Sequence, residues 1–328
     1  MFKFRGPAIG MDLGTTNLLM YIKGKGITIS EPSIITVEVK KNEVVATGQR
    51  ANEMLGRTHS GLKTIRPISD GVIADYDSTT LMIQHYLKHM SKGIFSTKPI
   101  IVISVPSNIT SVEKRAVIDV AMQVGAKEAY VVEGALAAAI GANLPVWEPT
   151  GSMIVDIGGG TTEVAVISLG GIVLSQSSKV AGNEMDRLII QYVRKKHQLL
   201  IGEPSAENIK KSLFNDGEPN VKNIRGRDLV SGLPRTINIT SDEILEVLQD
   251  AITAINQTIK STLENTPPEL AADIVERGLV LTGGGALLNR LDSMISAATN
   301  LPVFVSDEPL ECVVKGTAKV LDNVKILK

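Results

Sequence analysis

The sequence is poor in cysteine and in aromatic residues and has no long apolar run, and each shortage excludes a class of protein. Its one cysteine, Cys312, cannot form an internal disulfide or a zinc cluster, so we expect a small buried apolar residue. Aromatic residues make up 3% of the chain and the formal net charge is -1, which argues against nucleic acid as a partner. The N-terminus has no signal-peptide pattern, and no stretch approaches the roughly 20 apolar residues of a membrane span. We therefore expect a cytoplasmic protein.

The order of apolar runs and turns predicts an α/β protein. The 328 residues suffice for roughly two domains of about 150 residues each. Two capping boxes, Thr110 with Glu113 and Thr240 with Glu243, predict the starts of helices. Short apolar segments predict strands at 8–11, 18–22, 26–30, 34–39, 100–105, 130–132, 153–156, 163–169, 172–175 and 279–282. Residues 215–235 are rich in Asn, Gly, Pro and Arg and are predicted to be the most loop-like segment.

The most informative feature of the sequence is an internal repeat. An apolar strand leads to the turn Asp12-Leu13-Gly14-Thr15-Thr16, and a second apolar strand leads to Asp156-Ile157-Gly158-Gly159-Gly160-Thr161-Thr162. Another strand follows each turn, and helices follow each pair of strands. A unit of this kind that occurs twice predicts a duplicated α/β architecture with a cleft between the two copies.

These turns have the composition of loops that bind phosphate. Glycine lets the backbone approach an oxyanion, and backbone N–H groups and threonine hydroxyls donate hydrogen bonds to it. Because Asp12 and Asp156 would repel phosphate, we expect a hydrated Mg²⁺ between these acids and the phosphates. The pattern G-x-x-x-x-G-K-[ST] is absent, which disfavours a P-loop. One such turn alone is more often a plain hairpin, but a third glycine-rich turn at 282–286 favours a nucleotide site.

With these motifs the sequence resembles the bacterial actins of the MreB family, within the superfamily of actin, sugar kinases and heat-shock chaperone ATPases. The resemblance covers nearly the whole chain. Its specific segments are 11–17, 65–67, 70–76, 156–169, 200–203, 232–235 and 266–270.

The resemblance implies an actin-like fold, in which a duplicated ATPase core forms two large domains around a central nucleotide cleft. Each domain bears a smaller subdomain. The implied first domain comprises residues 1–143 and 313–328, with its subdomain IB at 33–75. The implied second domain comprises residues 144–312, with its subdomain IIB at 185–243.

The resemblance also implies ligands and the residues that bind them. The ligands are ATP and Mg²⁺, with Asp12 and Asp156 reaching the metal ion through water. The implied nucleotide-binding residues are Gly14, Thr15, Thr16, Asn17, Gly158, Gly159, Gly160, Thr161, Gly182, Glu207, Lys210, Thr282, Gly283, Gly284, Gly285 and Ala286. On the sequence alone, Glu207 and Lys210 would instead form a solvated charge pair on a helix face.

One position departs from the family pattern. Where the family has a second glutamate that positions the attacking water, this chain has Gly134. Positioning and proton transfer by such a group contribute about 10²- to 10⁴-fold to a reaction, so we expect a weak ATPase at most. The remaining candidates for a catalytic role are Thr161 and Glu133, although a helix would turn the Glu133 side chain about 100° from that of its neighbour.

The resemblance further implies contacts outside the nucleotide site. Members of the family form head-to-tail protofilaments that pair, and we expect this chain to associate with itself in that way, with a paired face at 112–120. We expect the chain at the inner face of the cell membrane, bound through Phe2, Phe4, Ile94 and Phe95; isolated exposed apolar residues remain the alternative. Other filament paralogues or cell-shape proteins are further expected partners.

Two other functions belong to the same superfamily. A small-molecule kinase needs a base aimed at a substrate hydroxyl and polar sugar-binding residues in the cleft, and the motifs include no such group. A chaperone ATPase needs a peptide-binding domain after the ATPase core, and we expect none here because the sequence ends at Lys328. We therefore expect an ATP-binding filament protein, with a small-molecule kinase as the alternative.

Overall fold

The chain folds around two similar five-stranded sheets, as described by a computed structural model for residues 7–91, 98–213 and 221–322. The strands of the first half are β1 (Ala8–Leu13), β2 (Asn17–Ile22), β3 (Gly26–Pro32), β4 (Ile35–Glu38), β5 (Glu43–Thr47), β6 (Leu62–Ile65), β7 (Ile68–Ser69), β8 (Val72–Ile73), β9 (Ile100–Val105) and β10 (Glu128–Glu133). Its helices are α1 (Gly48–Met54), α2 (Tyr76–Ser91), α3 (Ser111–Gln123) and α4 (Gly134–Gly141).

The second half continues with a similar succession of elements. Its strands are β11 (Ser152–Ile157), β12 (Thr162–Ser168), β13 (Gly171–Ser178), β14 (Leu199–Leu200), β15 (Val221–Asp228), β16 (Pro234–Thr240), β17 (Leu279–Thr282) and β18 (Val303–Val305). Its helices are α5 (Gly182–His197), α6 (Glu203–Leu213), α7 (Ser241–Glu264), α8 (Pro268–Arg277), a 3₁₀ turn (Gly284–Leu287), α9 (Leu291–Thr299) and α10 (Cys312–Leu321).

The two large sheets have the same topology. Their strand orders are β10-β9-β1-β2-β3 and β18-β17-β11-β12-β13. In both sheets the first strand of the half pairs antiparallel with the next strand and parallel with a later one, which is β9 or β17. Each half also has a three-stranded sheet, β5-β4-β6 or β14-β15-β16. The duplication predicted from the repeated turns is therefore confirmed strand by strand.

Helices α4 and α10 lie between the two large sheets and join them. Their buried side chains form one apolar cluster with Val102 of the first sheet and Ile154 of the second. The two helices pack at very close range, because a Cβ at Gly316 would lie only 1.8 Å from the carbonyl oxygen of Ala137. Cys312, at the start of α10, is 2% exposed, which confirms the prediction of a buried residue.

Both predicted capping boxes are present at helix starts. Thr110 and Glu113 exchange side-chain and backbone hydrogen bonds at the start of α3, and Thr240 and Glu243 do the same at the start of α7. These bonds satisfy backbone N–H groups that have no partner within the helix. None of the helices in the described part of the chain combines the length and the apolar character needed to cross a membrane.

The prediction of a loop at 215–235 is wrong for residues 221–228 and 234–235, which belong to the antiparallel hairpin of β15 and β16, while 229–233 form the turn between the two strands. Only Ile224 and Asp228 of β15 are buried, so its exposed positions accept the Asn, Gly and Arg residues that suggested a loop. The Asp228 carboxylate accepts the backbone N–H groups of Val230 and Ser231, at 2.9 and 2.8 Å. The Asp228 side chain thus closes the turn of the hairpin by accepting these two hydrogen bonds.

Candidate functional site

The turns after β1 and β11 face each other across a cavity of about 690 Å³ that opens between the two halves. Its wall also includes residues of α5 and α6 and the glycine-rich turn after β17. The predicted ligand-binding residues that line it are Asp12, Gly14, Thr15, Thr16, Asn17, Asp156, Gly158, Gly159, Gly160, Thr161, Gly182, Glu207, Lys210, Gly283, Gly284 and Gly285. The fold therefore brings together three turns that are far apart in the sequence.

The first two turns close with the same hydrogen bond. The Gly14 N–H donates to the carbonyl oxygen of Asn17 at 3.1 Å, and the Gly158 N–H donates to that of Thr161 at 2.9 Å. In each case the bond joins the first and the fourth residue of the turn. The sequence repeat thus corresponds to a repeat of local geometry, although the residues between the bonded pairs differ.

Glycines allow these two turns to approach each other closely. A Cβ at Gly159 would lie 1.8 Å from Oγ1 of Thr16, and a Cβ at Gly160 would lie 2.5 Å from Oγ1 of Thr15. Both distances are shorter than contacts between non-bonded carbon and oxygen atoms, so a larger residue would force the turns apart. Thr15 Oγ1 also accepts the Gly71 N–H at 2.8 Å. The turns form a narrow slot with glycine backbone on one side and threonine hydroxyls on the other.

Each turn places a buried acid beside a hydroxyl group. Ser104 Oγ donates to Asp12 Oδ1 at 2.8 Å, and Thr282 Oγ1 donates to Asp156 Oδ1 at 2.8 Å. Burial raises the pKa of Asp12 to about 7, while the Ser104 hydrogen bond lowers it and the charge of Asp156 raises it further. Burial also raises the pKa of Asp156. A cation between these acids would favour their ionised forms, so the pair is suited to a positively charged ligand.

A third buried carboxylate, Glu163, lines the same cavity and is missing from the predicted site. It lies directly opposite Asp156 in the antiparallel pair of β11 and β12, so both side chains are on one face of the sheet. Glu163 Oε2 accepts the Ser107 hydroxyl at 3.2 Å, and the residue is only 5% exposed. Burial, and then the charge of Asp156, raise the pKa of Glu163 to about 7.

A sequence signal for Glu163 existed. It is the one ionisable residue of β12, and Val164, Ala165, Val166 and Ile167, which follow it, are fully buried. An acid at the start of a buried strand, next to a phosphate-loop motif, is a candidate for a functional group. Its partner Ser107 gave no such signal, because only the tertiary fold brings the two residues together.

A second part of the cavity is lined by α5 and α6. Lys210 Nζ donates to the carbonyl oxygen of Gly182 at 2.8 Å and lies 2.8 Å from Asp186 Oδ1. Glu207 pairs with Lys211 at 2.6 Å rather than with Lys210. Apolar side chains complete this wall: Ile190, Leu287, Leu288 and Leu310. A wall that combines apolar surface with a few fixed polar groups suits a nucleoside.

Some residues of the predicted site lie away from the cavity wall. Thr282 and Ala286 are 0% and 4% exposed and lie behind the wall, where Thr282 contacts Asp156. Glu133 is exposed at the N-cap of α4 and is not part of the wall. The predicted membrane-contact residues lie outside the described residues: Phe2, Phe4, Ile94 and Phe95.

The carboxylates, hydroxyls and backbone N–H groups of the cavity wall suit a hydrated magnesium ion together with a phosphate chain. Within residues 7–91, 98–213 and 221–322, no group of three or more His, Cys, Asp or Glu side chains could hold a metal ion. Mg²⁺ does not need such a group, because it keeps several waters and binds through one or two carboxylates together with substrate phosphates. The paired acids and the glycine slot therefore suit Mg²⁺ and phosphate together, and the wall of α5 and α6 suits the nucleoside.

The chain matches the family model described as MreB/Mbl protein over residues 6–328. It is 47% identical over 320 residues to the cell shape-determining protein Mbl of Bacillus subtilis (strain 168), and the match covers 96% of each chain. It is 39% identical to MreB5 of Spiroplasma citri in a crystal structure bound to AMPPNP, with a TM-score of 0.92 and 98% of each chain covered. The MamK double helical filament is 21% identical, with a TM-score of 0.81 over 97% of this chain and 99% of that one, which shows a shared fold alone.

Proposed function

The chain belongs to the MreB/Mbl protein family and has an actin-like fold, and we propose that it is an ATP-binding filament protein of the cytoskeleton that acts in cell shape or a related movement. The observation that carries this proposal is the pair of facing turns, each with close-packed glycines and a buried acid held by a hydroxyl group. The relative that is bound to AMPPNP supports a nucleotide as the ligand.

In this proposal each part of the cavity has its own task. Backbone N–H groups and hydroxyls of Thr15, Thr16 and residues 158–161 donate hydrogen bonds to the phosphate chain. Asp12 and Asp156 orient waters around Mg²⁺, whose charge, when it is bound, offsets that of the phosphates. The backbone of 283–285 and the wall of α5 and α6 hold the nucleoside.

We also propose that the chain hydrolyses ATP slowly. Gly134 begins α4 and lines the cavity, at the position where the resemblance implies a water-positioning glutamate. Glycine has no side chain that could hold a water, and the neighbouring Glu133 is exposed. Thr161 lines the cavity and stays a candidate for contact with the reacting water.

A nucleotide bound between the two halves would couple its own binding to the assembly of filaments. We propose domains at 1–143 with 313–328 and at 144–312, so that the cavity lies between them. The ion pairs that cross this boundary include Lys179 Nζ to Asp70 Oδ2 at 3.0 Å and Arg66 Nε to Glu203 Oε2 at 3.6 Å, and Lys315 adds pairs with Glu308 and Glu311 near the domain junction at 312–313. Because such exposed pairs contribute only about 0–1 kcal/mol each, the ligand would dominate closure.

Self-association would follow from contacts between unlike surfaces of successive copies, which produce an open filament when the rotation does not close. For lateral pairing we propose the face of α3, where Val112 is 76% exposed. Other filament paralogues or cell-shape proteins are proposed as further partners of the assembled form.

Nucleotide-dependent assembly tests the proposal. A fluorescent ATP analogue should bind in the presence of Mg²⁺, and light scattering with electron microscopy should show filaments with ATP or AMPPNP. If the analogue does not bind, the proposed site is wrong. Formation of ADP that depends on an added sugar, without filaments, would instead favour a small-molecule kinase.

The membrane contact is tested separately. We propose that filaments lie on the inner face of the cell membrane through Phe2, Phe4, Ile94 and Phe95, since aromatic and apolar side chains beside cations suit an interface. Liposomes that contain anionic lipid should sediment with the wild type and much less with a variant in which all four are serine. Equal sedimentation of the wild type and the variant would show that these residues do not bind the membrane.

A further inference from the structure

The space beside Gly134 is bordered by the carboxylate of Glu163. A Cβ placed on Gly134 would lie 3.8 Å from Glu163 Oε2 and 3.5 Å from the carbonyl oxygen of Val105. A side chain at position 134 would therefore begin in contact with Glu163. Both residues belong to the wall of the same cavity, so the Glu163 carboxylate borders the volume that a longer residue at 134 would fill.

The position of Glu163 is fixed from both halves of the molecule. Its backbone belongs to β12 of the second half, opposite Asp156. Its carboxylate accepts the hydroxyl of Ser107, which follows β9 of the first half, at 3.2 Å. A carboxylate that is held by the hydroxyl and the backbone of Ser107 has lone pairs left to accept another hydrogen bond, and a cavity that holds a phosphate chain would supply a water for it.

We propose that Glu163 is the residue that positions the attacking water in this chain, in place of the side chain that Gly134 lacks. This inference rests on the proposed binding of ATP. In the balanced reaction, the water oxygen bonds to the terminal phosphorus, and the bond from that phosphorus to the bridging oxygen breaks with its electron pair staying on ADP. The protons of the water end on inorganic phosphate and on solvent. Glu163 accepts a hydrogen bond from the water and so orients its oxygen toward phosphorus.

The alternative role for Glu163 is purely structural, as one half of a hydrogen bond between the two halves. The two roles differ in what a second carboxylate could repair. A glutamate at 134 could take over the orientation of a water in the shared space, but it could not restore a bond between Ser107 and position 163. The two roles are therefore separated by the loss of kcat on removing Glu163, measured once with glycine and once with glutamate at position 134.

The experiment is a double-mutant cycle of the wild type, Glu163→Leu, Gly134→Glu and the variant that carries both substitutions, with Glu148→Leu, at an exposed site away from the cavity, as the control. Phosphate release at saturating ATP gives kcat, and a fluorescent ATP analogue gives Kd. We expect Glu163→Leu to lower kcat about tenfold or more when residue 134 is glycine and to change kcat little when residue 134 is glutamate, with little change in Kd in either case, and the control to match the wild type.

Each contrary outcome has a definite meaning. Unchanged kcat in Glu163→Leu, or the same fold-loss of kcat with glycine and with glutamate at 134 while all variants bind ATP, overturns the inference. Absence of measurable turnover in a wild type that binds ATP also overturns it and leaves the proposed function intact. Absence of ATP binding by the wild type contradicts the proposed function itself.

If Glu163→Leu does not fold, Ser107→Ala replaces it in the same cycle with Gly134→Glu. It keeps the carboxylate but removes the hydroxyl that holds it. A several-fold fall in kcat at unchanged Kd that disappears with glutamate at 134 would support the inference, and unchanged kcat, or a fall that persists with glutamate at 134, would overturn it.

Discussion

Position 134 is the residue at which turnover should respond most to one substitution. The backbone of Gly134 needs no glycine-specific conformation, and an added Cβ would meet its neighbours only at ordinary contact distances of 3.5 and 3.8 Å. We therefore expect Gly134→Glu to fold and to raise phosphate release about tenfold or more, because positioning of water is worth about 10²- to 10⁴-fold.

The matched control for this variant is Gly134→Leu, which fills similar space but has no oxygen that could accept a hydrogen bond from the water. Its turnover should stay closer to that of the wild type. Brisk hydrolysis by the wild type, or no gain in Gly134→Glu while the ATP analogue still binds, would show that position 134 does not limit the reaction.

A second residue-scale prediction concerns the slot between the turns. Alanine at Gly159 would place a Cβ 1.8 Å from Thr16 Oγ1, so the two turns would have to separate. We expect Gly159→Ala to weaken binding of the ATP analogue at least about tenfold, which corresponds to about 1.4 kcal/mol. Gly171→Ala is the control, because a Cβ there has no atom within 4 Å. Equal affinity of both variants would contradict the slot geometry.

The residues of the site divide into those that the sequence could reveal and those that it could not. The turns around Asp12 and Asp156 are local, and a repeated pattern in contiguous residues predicts them. The hydrogen bond of Ser107 to Glu163 spans 56 residues, and nothing local in either segment encodes it. Such contacts require the positions of both sheets to be known.

At the scale of elements, an ion pair joins the start of α7 to α5. Glu243 Oε1 lies 2.7 Å from Lys196 Nζ, and this contact, followed by the backbone N–H of Thr240, lowers the pKa of Glu243 to about 2. A carboxylate with a lowered pKa stabilises the fold above its ordinary pKa, and this stabilisation is lost as pH falls through the folded value.

We therefore expect Glu243→Gln to lower the free energy of unfolding at pH 7 by about 1 kcal/mol. The difference from the wild type should shrink as pH falls from 4.5 toward about 2, since the wild-type carboxylate then becomes neutral as well. Urea unfolding at a series of pH values measures it. Glu246→Gln, exposed on the same helix, should show no such pH-dependent difference, and a constant difference for Glu243→Gln would contradict the ionic cause.

Elements differ in how well the sequence predicts them. Fully buried β9, in which five of six residues are apolar, is predicted at its observed bounds, and both capping boxes are predicted correctly, because each has a strong local signal. The hairpin of β15 and β16 is missed, since its strands have few buried positions and its composition is that of a turn. Pairing between strands stabilises it there, and pairing is not a local property.

At the scale of the whole molecule, a ligand that contacts both halves should stabilise them together. At about 100 times its Kd, ATP with Mg²⁺ adds about 2.7 kcal/mol. At about 2.1 cal/mol/K per residue this corresponds to a rise in Tm of about 4 °C. Differential scanning calorimetry measures the shift.

The Gly159→Ala variant provides the comparison, because it should show a smaller shift at the same ATP concentration. A wild type whose Tm does not respond to ATP would contradict binding at the cavity. A shift confined to one of two separate transitions would show that the ligand contacts only one half.

The equivalence of the two sheets has a consequence for the direction of a bound ligand. Asp12 follows Met11 and Ser104 follows Ile103, and Met11 and Ile103 form the last pair between β1 and β9. Asp156 and Thr282 are the last pair between β11 and β17, so the two acids and their hydroxyl partners occupy equivalent positions in the two sheets. The binding site thus has near two-fold symmetry, whereas a nucleotide has two unlike ends. Its orientation must come from where the halves differ: Pro106 and Ser107 follow β9 on one side, and 283–285 follow β17 on the other. In the proposed site the second half would supply both the water-positioning carboxylate and the wall for the nucleoside, so two halves of nearly equal fold would contribute unequally to a bound nucleotide.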